Sequence, residues 1–223
     1  MLIRIALALV CALPLTFAHA ADVKMGSVTL KLPPPSGYCE LDPKQKRDRE
    51  VLNDLKAAQG KTVVLAPSAE CKELSEYRAG RLTTLDHPSH YQILASLRST
   101  PANVSDAKAE CQVMAKEGEQ ALKEGIDAEK KQAAKARDPM TVDQDKFLGV
   151  VAEDPVGCYY VIVLKATQNG KTESTINAAF MGSIKGRLLI FTLYVPYATD
   201  ASIQPAVDLV KAHMATVKTA NGM

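Results

Sequence analysis

The chain has 223 residues, and its 27 basic and 25 acidic residues give it a formal net charge of +2 at pH 7. Hydrophobic residues make up 47% of it, enough for a domain of this length to bury a core without metal or dense disulfides. Both basic stretches, residues 44–49 and 123–137, are interleaved with acids. The balanced charge therefore gives no reason to expect a nucleic-acid partner or binding to acidic lipids.

The first twenty residues have the pattern of a cleavable secretory signal peptide. Arg4 precedes an apolar run over residues 5–15, and residues 18–20 place alanines where a signal peptidase reads them. The run is shorter than the roughly 20 residues that a membrane span needs. We therefore expect cleavage after Ala20, no stable membrane insertion, and a single periplasmic domain over residues 21–223.

Four cysteines remain after cleavage: Cys39, Cys71, Cys111 and Cys158. An even count in an oxidising compartment favours two disulfides, and four cysteines allow three pairings. Loop closure costs less entropy for residues close in sequence, which favours Cys39 with Cys71 and Cys111 with Cys158. The spacing does not match a Cys-x-x-Cys redox pair, so we expect both bridges to stabilise the fold.

The first half of the mature chain predicts short elements. Residues 28–32 alternate apolar and polar side chains like a half-buried strand. Asp42 and Pro43 then supply an N-cap and a first-turn proline for a helix that ends at Gly60. Further along, Ser68 can cap a brief helix. Two more strands are predicted, at residues 61–66 and 91–97.

Residues 104–137 are rich in Ala, Lys, Glu and Gln, the residues with the highest helix propensity. Apolar side chains recur at helical spacing through the first part of this stretch, which predicts one long central helix. Its second half, residues 129–137, has few apolar residues apart from alanines. We expect that half to project or to pack lightly.

The last third predicts a four-stranded antiparallel meander followed by a helix. Its β-rich runs are separated by short turn sequences and cover residues 147–151, 158–165, 172–181 and 187–195. Ser202 can cap a final helix whose apolar stripe would cover the meander. The fold class is therefore α+β: an antiparallel sheet, including the N-terminal strands, packed by helices, with one long central helix and a C-terminal helix.

Asp86, His87 and His90 form the cluster with the most metal-ligand character. Zinc sites need three or four ligands in a defined geometry. If these residues do not form a metal site, they belong to a polar loop that leads into a strand. His213 lies at the edge of the apolar stripe of the last helix, which predicts a boundary residue with one face exposed to water.

Two pairs of acids, Asp143 with Asp145 and Glu153 with Asp154, are the nearest approach to paired catalytic carboxylates. Acidic turns are common for backbone reasons, so we predict no catalytic residue and no cofactor.

Four tyrosines lie on or beside the predicted meander. Tyr159 and Tyr160 are adjacent and must point to opposite faces of their strand. Tyr194 and Tyr197 could line a ligand groove, although packing with a solvated hydroxyl is the commoner role.

Two segments resemble a group of uncharacterised exported bacterial proteins. These are residues 32–41, with the sequence LPPPSGYCEL, and residues 185–187 leading to 194–197, with the sequence YVPY. The resemblance covers most of the mature chain and implies no activity, because the group has none established. The order of elements also resembles the PsbP-type fold of the photosystem II extrinsic subunit, which implies architecture alone.

The sequence favours a non-enzymatic periplasmic protein that binds a protein partner or small ligand at a face of the sheet. One alternative is a metal-dependent periplasmic enzyme organised around Asp86, His87 and His90. Another is a structural subunit of an envelope assembly that docks through the helix at residues 104–137.

Overall fold

A computed structural model describes residues 20–58, 61–133, 141–168 and 171–223, so the predicted signal peptide lies outside the described residues except for Ala20. The strands are β1 (Ala21–Met25), β2 (Val28–Leu32), β3 (Tyr38–Glu40), β4 (Thr62–Glu70), β5 (Pro88–Leu94), β6 (Thr141–Asp154), β7 (Gly157–Gln168), β8 (Lys171–Ile184) and β9 (Arg187–Pro196). The helices are α1 (Lys46–Ala58), α2 (Cys71–Arg78), α3 (Val104–Ala133) and α4 (Ile203–Ala220). None of the helices in the described residues has the length and apolar composition to cross a membrane.

Seven strands form one antiparallel sheet in the order β3-β4-β5-β9-β8-β7-β6, and β1 pairs with β2 in a separate hairpin. Strands β6 to β9 are the predicted meander. Lys185 and Gly186 both have positive φ angles, 48° and 71°, as a tight two-residue hairpin turn requires. The turn predicted at residues 169–170 lies outside the described residues. The predicted α+β class, with its long central helix and its C-terminal helix, is confirmed.

The two faces of the sheet are covered by different elements. One face packs against α4 and the β1–β2 hairpin, and its core includes Phe180, Phe191 and the α4 residues Val210 and Met214. The other face is covered by α3, which contacts β6, β7 and β8. Tyr159 joins the α4 side and Tyr160 the α3 side, which confirms that they point to opposite faces.

The β1–β2 hairpin is attached to the rest of the domain by side chains that bind its backbone. The Asn221 side chain accepts a hydrogen bond from the Lys31 N–H at 3.0 Å and donates one to the Lys31 carbonyl at 2.8 Å. On the opposite side of the hairpin, Arg187 Nε donates to the Met25 carbonyl at 3.1 Å. An isolated two-stranded hairpin is only marginally stable, so these contacts with the rest of the domain stabilise it.

Both expected disulfides are present. Cys39–Cys71 joins β3 to the first residue of α2, and Cys111–Cys158 joins α3 to β7. The pairing chosen from loop length is therefore confirmed. The two helices that the disulfides hold, α2 and α3, lie on the same face of the sheet.

The side chains predicted to cap three helices bind other partners instead. Asp42 accepts a hydrogen bond from the Lys44 N–H in a turn, and α1 begins only at Lys46. The Ser68 hydroxyl pairs with that of Ser89 at 2.7 Å inside the sheet, so it does not cap α2. Ser202 precedes α4, but its hydroxyl donates to the Thr199 carbonyl instead of capping the helix.

The long helix α3 has an N-terminal cap formed by Asn103 and Asp106, which was not predicted from the sequence. Asn103 Oδ1 accepts from the Asp106 N–H at 3.0 Å, and the Asn103 N–H donates to Asp106 Oδ2 at 2.8 Å. This reciprocal pair has the geometry of a capping box and fixes where α3 begins.

Candidate functional site

The candidate site is a strip of the sheet between two groups of helices. On one side of it, α3 packs over Cys158 and Tyr160 of β7. On the other side, α1 and α2 pack over Ala69 of β4, whose partner Pro88 lies on the same face as His90 by strand alternation. The strip between the two groups runs across β5, β9 and β8.

Five side chains on this face, which we call the polar strip, are His90, Gln92, Asn177, Thr192 and Tyr194. Thr192 lies opposite His90 of β5 on one side and opposite Ala179 of β8 on the other. Tyr194 lies opposite Asn177. Alternate residues of a strand share a face, so strand register brings all five together.

Two atoms of the polar strip are buried without a hydrogen-bond partner among the described residues: Asn177 Oδ1 and Thr192 Oγ1. Thr192 as a whole is only 1% exposed. A buried polar atom left unpaired costs about 1–3 kcal/mol, and native proteins contain few of them. Two such atoms on neighbouring strands and on one face distinguish this place from the rest of the sheet whose side chains the structure describes.

The aromatic members of the polar strip are His90 and Tyr194, whose ring centroids are 5.9 Å apart at an interplanar angle of 31°. Burial lowers the pKa of His90 to about 4, although a hydrogen bond with Gln92 acts in the opposite direction. The imidazole is therefore neutral at pH 7. Burial, and after it the neighbouring Tyr194, raise the pKa of Tyr160 at the border with α3. The other members of the polar strip are two amides, a hydroxyl and a phenol.

A β-bulge lies directly beside His90. Leu65 pairs with Tyr91 and Ser68 with Ser89, so the two residues Ala66 and Pro67 stand opposite the single residue His90. Ala66 has a φ angle of 42°, in the left-handed region that alanine rarely adopts. Bulges and strained residues concentrate beside functional sites, because they redirect side chains and end regular pairing.

The structure does not bring Asp86, His87 and His90 to a common point. The backbone N–H groups of Asp86 and His87 both donate to the buried Glu73 carboxylate, and His87 Nδ1 lies 3.5 Å from Glu73 Oε2. His90 is instead part of β5 and faces Tyr194. Among the residues that the structure describes, no group of three His, Cys, Asp or Glu side chains is arranged to hold a metal ion.

The expectation for His213 was wrong. The residue is 6% exposed, with its Nε2 2.6 Å from the hydroxyl oxygen of Tyr91 and its ring 4.4 Å from that of Phe191. Because α4 lies directly on the sheet, its buried face is wide enough to include position 213 as well as its apolar neighbours. Burial lowers the pKa of His213 to about 4.

Of the four acids considered as pairs, Asp154 has a structural role. Its carboxylate accepts hydrogen bonds from Lys218 Nζ at 2.7 Å, the Tyr159 hydroxyl at 3.0 Å and the Val156 N–H at 3.1 Å. These contacts hold the β6–β7 turn against α4. Glu153 beside it is exposed, and the side chains of Asp143 and Asp145 lie outside the described residues.

The sequence pointed to Tyr194 as a residue that could line a groove, and the structure places it in the polar strip. Tyr197 is not part of the strip, because its hydroxyl donates to Asp200 at 2.8 Å. Asn177 and Thr192 were missed. The available signal was a single polar residue inside each of two apolar strand sequences, INAAF and LIFTLY.

In comparisons with known proteins, no family model, no curated protein and no solved structure matches the chain. The resemblance to uncharacterised exported bacterial proteins stays a prediction, as does the likeness to the PsbP-type fold.

Proposed function

We propose that the chain is an exported, periplasmic binding protein that holds a small ligand on the polar strip and catalyses no reaction. The observation that carries this proposal is the pair of buried, unpartnered atoms Asn177 Oδ1 and Thr192 Oγ1. A ligand that hydrogen-bonds to both atoms would recover the free energy that their burial costs. The disulfides and the predicted signal peptide support a location in an oxidising compartment outside the cytoplasm.

We propose that movement of the surrounding side chains gives a ligand access to the two atoms. His90, Gln92, Asn177 and Tyr194 are half-buried, whereas Thr192, which lies among them on the same face, is almost fully covered. Rotamer changes of such side chains are common when proteins bind their ligands. A ligand that displaces them reaches Thr192 while the backbone of the sheet stays in place.

The same geometry favours binding over catalysis. A threonine hydroxyl that acts as a nucleophile needs a base within hydrogen-bonding distance. Thr192 Oγ1 has no such partner among the described residues, although His90 lies directly opposite on β5. The polar strip therefore offers hydrogen bonds to a ligand without activating one of its own groups.

The test is native mass spectrometry of the full chain expressed with its signal peptide and isolated from the periplasm. We expect a small-molecule mass increment that is lost on denaturation and reduced in an Asn177→Leu variant. Ser183→Ala is the matched control, because Ser183 is a buried residue outside the strip whose hydroxyl donates to the Ala102 carbonyl at 2.6 Å.

Three results would overturn the proposal. The first is the absence of any small-molecule increment from every preparation. The second is an increment removed by a chelator and by His87→Ala, which would support the metal-dependent enzyme. The third is a co-purifying protein that is lost when α3 is altered but retained in Asn177→Leu, which would support the envelope subunit.

A further inference from the structure

We infer that the ligand of the polar strip is a neutral saccharide, whose hydroxyl groups bind Asn177 and Thr192 and whose ring packs on Tyr194. This inference rests on the proposed function and adds the chemical class of the ligand.

The charge of the strip favours an uncharged ligand over an ionic one. Asn, Gln and Thr do not ionise, and His90 is neutral at pH 7 because burial lowers its pKa to about 4, so these four side chains offer no counter-charge to an anion or a cation. Moving an ionised group from water into a half-buried site without a counter-charge is strongly unfavourable. We therefore expect the part of the ligand that occupies the strip to be uncharged.

The hydrogen-bonding capacity of the strip requires a polar ligand. Asn177 Oδ1 only accepts, whereas Thr192 Oγ1 can donate and accept. A hydroxyl group does both through a single atom, so neighbouring hydroxyls of one molecule can satisfy both residues. A wholly apolar ligand would leave both atoms unpaired and would not recover the cost of their burial.

The spacing of the two residues fits a cyclic polyol. Asn177 is opposite Tyr194, and Thr192 precedes Tyr194 by two residues on the same face. Asn177 and Thr192 are therefore diagonal neighbours on adjacent strands, with Cβ atoms separated by roughly 7 Å. Hydroxyl groups distributed around one sugar ring can reach both side chains at once.

The aromatic surface suits the other side of a sugar. Tyr194 presents a half-buried ring next to His90. A tyrosine at a binding site combines an apolar ring with a polar end. The C–H face of a sugar can pack on such a ring while the hydroxyls at its edge turn toward Asn177 and Thr192.

The inference is tested by titrating the ¹⁵N-labelled, disulfide-bonded protein and following its amide chemical shifts. The neutral probes are glucose, N-acetylglucosamine, maltose and chitobiose. Glucuronate and glucosamine are the matched anionic and cationic probes, and N-acetyltyrosinamide is a neutral compound that is not a sugar. We expect saturable shifts of the Asn177 side-chain amide and of the amides of residues 190–194 with at least one neutral saccharide. The charged sugars should bind at least tenfold more weakly.

Two variants connect the shifts to the unpartnered atoms. Thr192→Val keeps the shape of the side chain and removes its hydroxyl, and Asn177→Leu removes the acceptor. Each should weaken saccharide binding at least tenfold, because a site built to hydrogen-bond a hydroxyl loses much of its affinity when the pairing is broken. Ser183→Ala should bind as the wild type does.

The outcomes separate the class of ligand from the existence of the site. If N-acetyltyrosinamide or a charged sugar saturates the strip and neutral saccharides do not, the saccharide inference is wrong while the proposed function stands. If saccharide shifts occur elsewhere or survive both variants, the inference is also wrong. If no probe shifts the strip and the periplasmic protein carries no small molecule, both proposals fail.

Discussion

Tyr91 and His213 are joined in the core by a hydrogen bond with 2.6 Å between the hydroxyl oxygen and Nε2. The same hydroxyl lies 2.7 Å from the Pro33 carbonyl oxygen, which can only accept. Tyr91 has one proton and must donate it to Pro33, so Nε2 of His213 carries a proton and donates to Tyr91. This chain of hydrogen bonds fixes the tautomer of the neutral His213. It also connects α4 to β5 and to the segment that follows β2.

Replacing Tyr91 with phenylalanine should lower the free energy of unfolding by about 2 kcal/mol. The substitution leaves the Pro33 carbonyl and the His213 N–H buried without their partner. Tyr197→Phe is the matched control, since its hydroxyl bonds to the exposed Asp200, and it should change stability by less than about 0.5 kcal/mol. Urea unfolding with the disulfides intact measures both. Equal effects of the two substitutions would contradict the role given to the buried pair.

Stability should fall as the pH is lowered from 6.5 toward 4, because burial lowers the pKa of His213 from 6.5 to about 4. In that window the unfolded state binds a proton that the folded state excludes, which favours unfolding as protons are added. One histidine contributes up to about 1.4 kcal/mol per pH unit.

Urea unfolding at several pH values, with wild type and His213→Gln compared, measures this contribution. The glutamine amide can still donate to Tyr91 but does not titrate, so the slope with pH should decrease. His90→Gln is the companion variant, because burial also lowers the pKa of His90 to about 4. Unchanged slopes in both variants would show that neither histidine is excluded from protonation in the folded state.

Asp154 affects the free energy of unfolding at lower pH than His213 does. Burial by itself raises this pKa, but hydrogen bonds from Lys218, the Val156 N–H and Tyr159 outweigh that effect and lower it below 3.8. A carboxylate with a lowered folded-state pKa stabilises the protein above its unfolded-state pKa and stops doing so as the pH falls below it. In an acid titration, the loss of stability that comes from His213 therefore begins at higher pH than the loss that comes from Asp154.

Thr192→Val should raise the free energy of unfolding by about 1 kcal/mol, because it removes a buried, unpartnered hydroxyl and preserves the side-chain shape. Ser183→Ala should lower it by about 1 kcal/mol, because it leaves the Ala102 carbonyl without its donor. The opposite signs, measured by thermal and urea unfolding of ligand-free protein, would show that Thr192 is retained at a cost to stability. A destabilising Thr192→Val substitution would contradict this.

Removing the Cys111–Cys158 disulfide should release α3 more than the other helices. Its 47-residue separation predicts a loss of about 4 kcal/mol from the extra freedom of the unfolded chain. In Cys111→Ala/Cys158→Ala protein, hydrogen exchange should accelerate along α3 and change little in α4. The Cys39→Ala/Cys71→Ala protein is the control, in which α2 should lose protection and α3 should keep it. An equal loss of hydrogen-exchange protection in all helices of both variants would mean that each disulfide stabilises the domain as a whole and no helix in particular.

The parts of the fold that follow local rules could be predicted from the sequence. Alternating side chains and short turns such as Lys185-Gly186 identified the meander, and loop length selected the correct disulfides. Local rules failed where a side chain had a competing partner. Ser68 has the chemistry of a helix cap, but the register of β4 with β5 places it against Ser89.

Most of the polar strip could not be predicted from the sequence, because it depends on the pairing of strands that are distant in the chain. His90 meets Thr192 only because β5 pairs with β9, and no local pattern specifies that register. The predicted strand at residues 91–97 also began too late, which left His90 in a loop with Asp86 and His87. Tyr194 was identified as a groove residue, because a tyrosine at the end of an apolar run can be recognised without knowing the pairing.

The hydrogen bonds between the Lys31 backbone and the Asn221 side chain can form only at the end of chain synthesis. The two residues are 190 positions apart, so the β1–β2 hairpin lacks its anchor until α4 has been made. Contacts this distant in sequence form late, after the chain ends have come together.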